Sequence, residues 1–404
     1  MTATRAPMVR GSAGRTGPRR PQVVRSPSTA PVAELHLPPI VHFGRGALSK
    51  AGPEARGFGA RALLVTDSGL ASTGLVDEVM RTLRAAGVEP LVFDGVEPNP
   101  TIAQVEAGLE AGSGRDIPSI VSVGGGSAHD CAKVIALVAT NGGEVRDYEG
   151  IDRSAHRGLP LICVNTTAGS GAEVSRFAVI TDPDRTLKMI VVDRHLMPRI
   201  AIEDPLLTLG MPAAVAMASG LDALTHAIEA DASTLGSEIP SMYALRAVEL
   251  IGANLERVVR DGADLDAREA MLMASLLAGM AIDSASAGAV HAMAHQLGAV
   301  YDLPHGVCNG VLLPVVIEAN ESAASERYHR LAQALTGGPT TRSLASLVRE
   351  LGDRVGLARG LAELGVERRR IPDLAARAMG DFCMPTNPRE LREADVVRIY
   401  ERAL

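Results

Sequence analysis

The sequence contains no tryptophan, and only 2% of its 404 residues are aromatic. Platforms of aromatic rings that stack on nucleic-acid bases are therefore excluded. The chain also lacks a run of 18 apolar residues, so no transmembrane helix is predicted. Its four cysteines form no CxxC pair and lie in apolar segments, which predicts reduced cysteines in a cytoplasmic protein.

Acidic residues outnumber basic residues outside the N-terminus. The formal net charge is −7, although residues 1–35 carry six arginines and one acid. The acidic remainder argues against nucleic acid as a partner, because phosphate binding requires clustered lysine and arginine. The tail is rich in arginine, proline and serine and has no apolar segment. We expect a disordered extension rather than a secretory signal, with an organelle transit peptide as the alternative.

From about residue 39, short β-branched runs alternate with helical segments. The predicted strands cover 62–67 and 90–96, followed by strands that run into loops within 119–127 and 160–171, and the predicted helices cover 74–87, 101–111 and 127–140. Strands separated by helices predict a parallel α/β sheet. Two further runs, 176–182 and 188–193, predict a hairpin added to that sheet.

After about residue 205 the chain is dominated by alanine, leucine, methionine and glutamate. Helices are predicted at 212–231, 239–260, 264–281, 284–299, 308–320, 323–335, 339–353, 371–382 and 392–403. Pro212 is predicted to open the first of them. The predicted organisation is a basic tail (1–35), an α/β domain (36–209) and an all-α domain (210–404).

A glycine loop lies between a predicted strand and a predicted helix. It consists of Gly124, Gly125, Gly126 and Ser127. Glycines let the backbone approach a ligand closely, and the helix N-terminus offers free N–H groups to a pyrophosphate. Taken alone, the loop is equally typical of a tight turn. A second polar loop at 166–171 also follows a strand, and ligands of open parallel sheets bind beyond the carboxyl ends of the strands, which favours a dinucleotide site.

Asp67 ends the first predicted strand of this series. A carboxylate there can accept hydrogen bonds from ribose hydroxyls and would repel a 2′-phosphate, which favours NAD over NADP. The alternative interpretation is an aspartate that caps a helix or turn.

Histidines are concentrated in two short segments of the helical half. Asp222 and His226 are four residues apart, as are His291 and His295, and His305 follows in a Pro-His-Gly sequence. Residues at this spacing share one helix face, so each pair can point at a single ion. The five side chains exceed what a tetrahedral ion needs, and three imidazoles with one carboxylate would leave a position open for substrate. Nitrogen and oxygen ligands suit Fe(II), Zn(II), Mn(II) or Ni(II). Structural histidines are the alternative.

Together these motifs resemble the iron-containing (group III) alcohol dehydrogenases, in particular the bacterial ethanol and short-chain alcohol branch. The resemblance runs from about residue 39 to the C-terminus. The specific segments are GGGSAHDCAK (124–133) and AGAVHAMAHQLGAVYDLPHGVCNGVLLP (287–314), and the matching segments also include NTTAGSGAEVSRFAVIT (165–181) and MASGLDALTHAIEA (217–230).

The resemblance implies a metal bound by four of the five side chains, with Fe(II) expected and Zn(II) as an alternative; the ligands would be Asp222, His226, His291 and His305. His295 would then lie near the nicotinamide as a proton relay. The pyrophosphate loop would be Gly124, Gly125, Gly126 and Ser127, with Asp67 selecting the cofactor, and the further residues at the NAD site would be Asn99, Thr166, Thr167 and Lys188. The implied reaction is hydride transfer between NAD and a primary short-chain alcohol or aldehyde, in a homodimer.

One segment departs from the family pattern. The stretch usually written AFNNA reads AIDSA at 281–285, so Ile282 and Asp283 replace an aromatic and an amide. The identity of the substrate therefore stays open. The alternatives are a dedicated reductase of a biosynthetic aldehyde such as phosphonoacetaldehyde, and a relative of glycerol dehydrogenase or dehydroquinate synthase. A catalytically silent binding protein is a third, against which the intact ligand set argues.

Overall fold

The computed structural model describes residue 2 and residues 34–404, so the predicted tail lies almost entirely outside the described residues. The strands are β1 (Ile40–Phe43), β2 (Arg61–Asp67), β3 (Glu89–Val96), β4 (Ile120–Gly124), β5 (Gly150–Ile151), β6 (Leu161–Asn165), β7 (Phe177–Asp182), β8 (Leu187–Val192) and β9 (Ile200–Glu203). The α-helices are α1 (Ala51–Phe58), α2 (Ser68–Ala71), α3 (Leu75–Ala85), α4 (Ile102–Gly112), α5 (Gly126–Asn141), α6 (Ala213–Ala232), α7 (Glu238–Arg260), α8 (Leu265–Ala285), α9 (Ala289–Tyr301), α10 (His305–Thr336), α11 (Leu344–Val355), α12 (Ile371–Met379) and α13 (Glu393–Ala403).

Six strands form one parallel sheet in the order β1-β9-β6-β4-β2-β3, which confirms the predicted parallel α/β architecture. Every residue of β4 and of β6 is buried, as expected for central strands covered on both faces. The edge strand β1 and its neighbour β9 have four residues each and were not predicted from the sequence.

The sheet has a topological switch point between β2 and β4. The chain passes from β2 to its neighbour β3 on one side and then returns to β4 on the other side. The loops that follow β2 and β4 therefore leave the same edge of the sheet in opposite directions, which opens a crevice between them. Asp67 ends β2 and the glycine loop follows β4, so both predicted cofactor elements lie at this crevice.

The predicted hairpin forms, but its predicted addition to the large sheet is wrong. β7 and β8 pair antiparallel and, with β5, make a separate three-stranded sheet in the order β5-β8-β7. Side chains of α5 bond to backbone groups of β7. Asp130 Oδ2 accepts from Val179 N at 3.0 Å, and Lys133 Nζ donates to the Phe177 carbonyl at 2.6 Å. These contacts hold the hairpin against α5 and occupy backbone groups that another strand would need.

From α6 onward the described chain is helical, which confirms the predicted fold class of the second half. The predicted helix over 284–299 begins only at Ala289, because Ser286 adopts a positive φ of 63° and ends α8. Two helices predicted at 308–320 and 323–335 form one span, α10, interrupted at Ala324 where φ is −133°. The division of the chain at residue 209 stays a prediction.

Among the described residues, no helix is by itself long and apolar enough to cross a membrane. α8 and α9 reach the required length and hydropathy only as a pair, and the two helices are bent by 103° at their junction. Both helices contribute many buried side chains to the core of the helical half, including Met271, Ala278, Val290 and Met293.

Gly171, in the loop after β6, lies directly against helix α8. Its φ is +61°, and a Cβ added there would lie 2.4 Å from the Cα of Gly279. We therefore expect Gly171→Ala to lower the free energy of unfolding by about 3 kcal/mol, from backbone strain and overpacking together. Urea denaturation followed by circular dichroism measures this. Gly210→Ala is the matched control, because Gly210 has open space around it and no positive φ. Equal stability of the two variants would contradict the packing described.

Candidate metal centre and nucleotide cleft

Four predicted metal ligands meet in the helical half. The Oδ1 atom of Asp222 lies 3.8 Å from Nε2 of His226, 3.9 Å from Nε2 of His291 and 3.5 Å from Nε2 of His305. The three imidazole nitrogens thus surround one carboxylate oxygen. Asp222, His226 and His291 are buried.

Local sequence explains how three helices deliver these groups. Asp222 and His226 lie one turn apart on α6, so both project from the same face. α9 supplies His291 from its first turns. Pro304 directly precedes α10, and His305 is the first residue of that helix.

The outward-facing nitrogens of two histidines are held by oxygen atoms. His291 Nδ1 lies 2.6 Å from Glu229 Oε2, and His226 Nδ1 lies 3.3 Å from the Gly169 carbonyl. A proton on each Nδ1 leaves the Nε2 lone pair free to bind a metal, which is the usual arrangement of metal-binding histidines. Burial lowers the pKa of His291 well below its ordinary value and that of His305 to about 3, so these imidazoles are neutral donors.

Sequence reasoning missed Glu229. Its carboxylate also accepts from Val290 N at 2.7 Å and so fixes the start of α9. A signal was available, because Asp222, His226 and Glu229 follow one another at spacings of four and three residues on a single helix face.

Asn309 was also missed, although it follows His305 by one helical turn. Its Nδ2 donates to Asp222 Oδ1 at 2.8 Å and lies 3.0 Å from His305 Nε2 and 3.3 Å from His291 Nε2. One amide therefore faces three groups that all offer lone pairs. Three imidazole nitrogens and one carboxylate that converge in this way fit a divalent metal ion of the iron or zinc type.

His295 lies beside this cluster rather than within it. Its ring centroid is 6.0 Å from that of His291 and 5.5 Å from that of His305. Its Nδ1 lies 2.9 Å from Asp381 Oδ2, a partner that no local sequence signal indicated. The carboxylate of Asp381 also accepts from Cys383 N at 2.9 Å, and its pKa lies below the ordinary value despite burial, because His295 is close. The hydrogen bond between Nδ1 and Asp381 therefore fixes the orientation of the His295 ring.

A cavity of about 410 Å³ lies between the glycine loop and the histidine helices, a volume typical of small-molecule sites. All four predicted metal ligands and His295 line it. Five predicted cofactor residues also line it, namely Asn99, Gly126, Ser127, Thr167 and Lys188. The other four predicted cofactor residues are not among those that line it, namely Asp67, Gly124, Gly125 and Thr166.

The glycine loop is tightly enclosed. A Cβ added at Gly125 would lie 2.8 Å from the side chain of Thr167, and one added at Gly126 would lie 2.9 Å from Ser170. Gly124 has a φ of +151°. α5 begins at Gly126, and among the described residues no side chain caps its N-terminus, so its first N–H groups are available to an anion.

The position of Asp67 is compatible both with a helix cap and with a carboxylate that binds ribose. Its Oδ1 accepts from Leu70 N at 2.8 Å and caps α2. Its Oδ2 lies 3.6 Å from the position of a Cβ added at Gly124, so the second oxygen borders the glycine loop. The carboxylate can therefore cap the helix with one oxygen and face a ribose with the other.

The remaining cofactor residues differ in what holds them. Asn99 Nδ2 donates to Asp302 Oδ1 at 2.7 Å, which links the loop after β3 to the end of α9. Lys188 Nζ donates to Thr181 Oγ1 at 3.0 Å, and burial lowers the pKa of this lysine to about 8. Thr166 is buried, and its backbone N–H donates to the Gly124 carbonyl at 3.0 Å, so it supports the loop.

The two residues that depart from the family pattern lie in different surroundings. Ile282 lines the cavity. Asp283 is buried and bonds to Arg176, accepting from its backbone N at 2.6 Å and from its Nε at 3.1 Å. The isoleucine can therefore affect the substrate, whereas the aspartate fastens α8 to the start of β7.

Replacement of Asp67 tests cofactor choice. We expect Asp67→Gly to raise the ratio of kcat/KM with NADP to that with NAD by about tenfold, because repulsion of the 2′-phosphate is lost. Asp67→Asn separates the charge from the helix cap, because asparagine still caps α2. Steady-state kinetics with both cofactors measures the ratio. An unchanged ratio in both variants would contradict a selecting role for the carboxylate.

Comparison with known proteins agrees with this geometry. The family model described as "Iron-containing alcohol dehydrogenase" matches residues 38–205, and "Fe-containing alcohol dehydrogenase family, C-terminal" matches residues 216–404. The chain belongs to the iron-containing alcohol dehydrogenase family. This match favours an iron-containing alcohol dehydrogenase over a relative of glycerol dehydrogenase or dehydroquinate synthase.

Individual relatives cover nearly the whole chain. Alcohol dehydrogenase 4 of Schizosaccharomyces pombe is 41% identical over 387 residues, covering 94% of this chain and 91% of the relative. The NAD-dependent methanol dehydrogenase of Bacillus methanolicus is 39% identical over 382 residues, covering 92% of this chain and 100% of the relative. A crystal structure of 1,3-propanediol oxidoreductase aligns with a TM-score of 0.90 at 40% identity, covering 92% of this chain and 100% of the other.

Proposed function

We propose that this protein is a metal- and NAD-dependent alcohol dehydrogenase that also works as an aldehyde reductase on primary short-chain substrates. The observation that carries the proposal is that the histidine and carboxylate cluster lines the same cavity as the start of α5. A bound dinucleotide and a bound metal would thus meet in one enclosed space.

The residues present fit both groups. A divalent ion, Fe(II) with Zn(II) as the alternative, supplies Lewis acidity at the reacting oxygen, and NAD supplies the hydride acceptor. Asp222, His226, His291 and His305 hold the ion, and Glu229 orients one of these imidazoles. Burial of the cluster excludes bulk water from the reacting groups.

His295 is the group that we assign to proton transfer. Asp381 holds its Nδ1, which leaves Nε2 with no hydrogen-bond partner among the described residues. Since His295 lines the cavity, Nε2 can accept a proton from the alcohol or return one to the product. A purely structural role, in which the ring supports His305 by stacking, is the alternative.

The charge of the cavity favours a neutral substrate. Of the residues described, Lys188 is the only lysine or arginine that lines the cavity, and its ammonium group is bonded to Thr181. A phosphonate or another strongly anionic aldehyde would require a paired cationic site. We therefore favour an uncharged alcohol or aldehyde over phosphonoacetaldehyde.

We further propose a cytoplasmic homodimer without nucleic-acid or membrane partners. Support for the compartment comes from four free cysteines, all buried. The acidic composition supports the absence of nucleic-acid binding. Gel filtration coupled to light scattering tests the dimer.

The proposed activity is tested with protein purified without oxygen and loaded with Fe(II) or Zn(II). NADH oxidation is measured with propanal, butanal and phosphonoacetaldehyde. We expect turnover with the neutral aldehydes and at least about a hundredfold lower kcat/KM with the phosphonate. No NADH oxidation with any of the aldehydes would contradict the activity, and preference for the phosphonate would contradict the neutral substrate.

A further inference from the structure

A second group of metal-binding side chains lies beside the histidine and carboxylate cluster. One ring nitrogen of His295, one carboxylate oxygen of Asp381 and the Sγ atom of Cys383 all lie within 4.8 Å of one another. Donor atoms around a tetrahedral zinc ion are about 3.3–3.6 Å apart, because the bonds from zinc to nitrogen, oxygen and sulfur are about 2.0–2.3 Å long. Small movements of the three side chains would therefore bring them to the distances of ligands.

Asp381 connects the members of this group. Its Oδ2 lies 2.9 Å from His295 Nδ1 and accepts from Gln296 Nε2 at 3.3 Å. Its Oδ1 accepts from the backbone N–H of Cys383 at 2.9 Å. The carboxylate is thus oriented by groups outside the set of donors, as carboxylates that bind metals usually are.

The cavity gives an ion access to these side chains. His295 and Cys383 line the cavity, and the side chain of Asp381 is only 5% exposed. Burial strengthens the attraction between an ion and its ligands, and the cavity supplies the entry path that a metal site needs.

A divalent ion would leave this group without net charge. A thiolate and a carboxylate carry one negative charge each, and the imidazole is neutral. A buried complex with no net charge avoids the cost of burying an uncompensated charge. Neutrality also limits repulsion from an ion in the neighbouring cluster, which matters because the ring centroids of His291 and His295 are 6.0 Å apart.

Sulfur distinguishes this group from the histidine and carboxylate cluster. The four side chains of that cluster, Asp222, His226, His291 and His305, offer nitrogen and oxygen atoms only. Cys383 offers a soft thiolate, and thiolate ligands favour zinc. The two groups are therefore expected to differ in the metal that they prefer.

We propose that His295, Asp381 and Cys383 form a second metal site that binds Zn(II), and that occupation of this site inhibits turnover. The thiol of Cys383 releases its proton to solvent as the bond from sulfur to zinc forms. The inhibition rests on the proposed function, because the ion would occupy His295, the residue assigned to proton transfer. Binding of the ion does not depend on that function.

Titration with Co(II) tests the binding. A thiolate bound to Co(II) gives a near-ultraviolet charge-transfer band, which nitrogen and oxygen ligands do not give, so the histidine and carboxylate cluster does not contribute to it. We expect the band in the wild-type protein, purified without oxygen, and its loss in Cys383→Ala. Cys383→Ser keeps the size of the side chain and should lose the band as well.

Cys131→Ala is the matched control for the titration, because Cys131 is a buried free cysteine that does not line the cavity. It should keep the band. Circular dichroism of each variant shows whether it is folded. Absence of the band from the wild type with excess Co(II), or an equal band in folded Cys383→Ala, would overturn the second site.

The inhibition is measured as NADH oxidation with propanal by Fe(II)-loaded protein at increasing Zn(II). We expect the rate of the wild type to fall about tenfold or more, while native mass spectrometry shows one iron and one zinc in each chain. Half-inhibition of Cys383→Ala should need at least about tenfold more zinc, because one of three ligands is lost.

Two results would overturn the inhibitory role, namely equal sensitivity of Cys383→Ala to zinc, or a loss of rate that occurs only in step with loss of iron. Absence of NADH oxidation before zinc is added would instead contradict the proposed function, and the cobalt titration would still decide whether the second site exists.

Discussion

His291→Ala is expected to purify without stoichiometric metal and to lose turnover by about a thousandfold or more. Removal of this imidazole takes one of three nitrogen donors from the cluster around Asp222 Oδ1 and leaves the buried Glu229 carboxylate without its imidazole partner. Metal content by mass spectrometry and NADH-linked kinetics on the same samples measure both effects. His305→Ala should behave in the same way.

His329→Ala is the matched control for these variants. His329 lies on α10 like His305, but it is outside the cavity and contacts Gln333. It should retain the wild-type metal content and rate. If His291→Ala turned over at the wild-type rate with no metal bound, the assignment of the ligands would be wrong.

Glu229→Gln should have the second largest effect. The glutamine keeps the volume of the side chain but removes one of the two oxygens that hold His291 Nδ1 and the N–H of Val290. We expect metal affinity to fall by about 10- to 100-fold, as is typical when a group that orients a metal-binding histidine is lost. Competition with a chelator of known affinity measures the dissociation constant.

A control variant and a measurement of folding accompany the Glu229→Gln experiment. Glu249→Gln removes a carboxylate that is half-exposed and paired with Arg246, so its metal affinity should not change. Circular dichroism of Glu229→Gln should show a folded protein, which separates loss of metal binding from loss of structure. Wild-type affinity in a folded Glu229→Gln variant would contradict the orienting role.

The sequence predicts the parts of the site that depend on local spacing. The glycine loop is one continuous segment, and Asp222 with His226 needs only one helical turn. Glu229 belongs to the same face but carries no chemistry by itself, so it was overlooked. The contact between His295 and Asp381 joins residues 86 positions apart, and no local pattern encodes it.

The same distinction holds for the fold. Central strands such as β4 and β6 are mostly apolar and fully buried, and the sequence predicts both. β1 and β9 are short, and their pairing joins Ile40 to Ile200, which only the folded chain brings together. The hairpin was assigned to the wrong sheet because its contacts with Asp130 and Lys133 on α5 depend on tertiary packing.

The central claim is that hydride passes between the nicotinamide and the substrate carbon at the histidine and carboxylate cluster. Oxidation of 1,1-dideuterated 1-propanol with NAD tests it directly, with the reduced cofactor analysed by mass spectrometry. We predict one deuterium in each molecule of NADH formed by the metal-loaded protein, and almost no product from protein stripped of metal. NADH without deuterium, or equal rates with and without metal, would contradict the account.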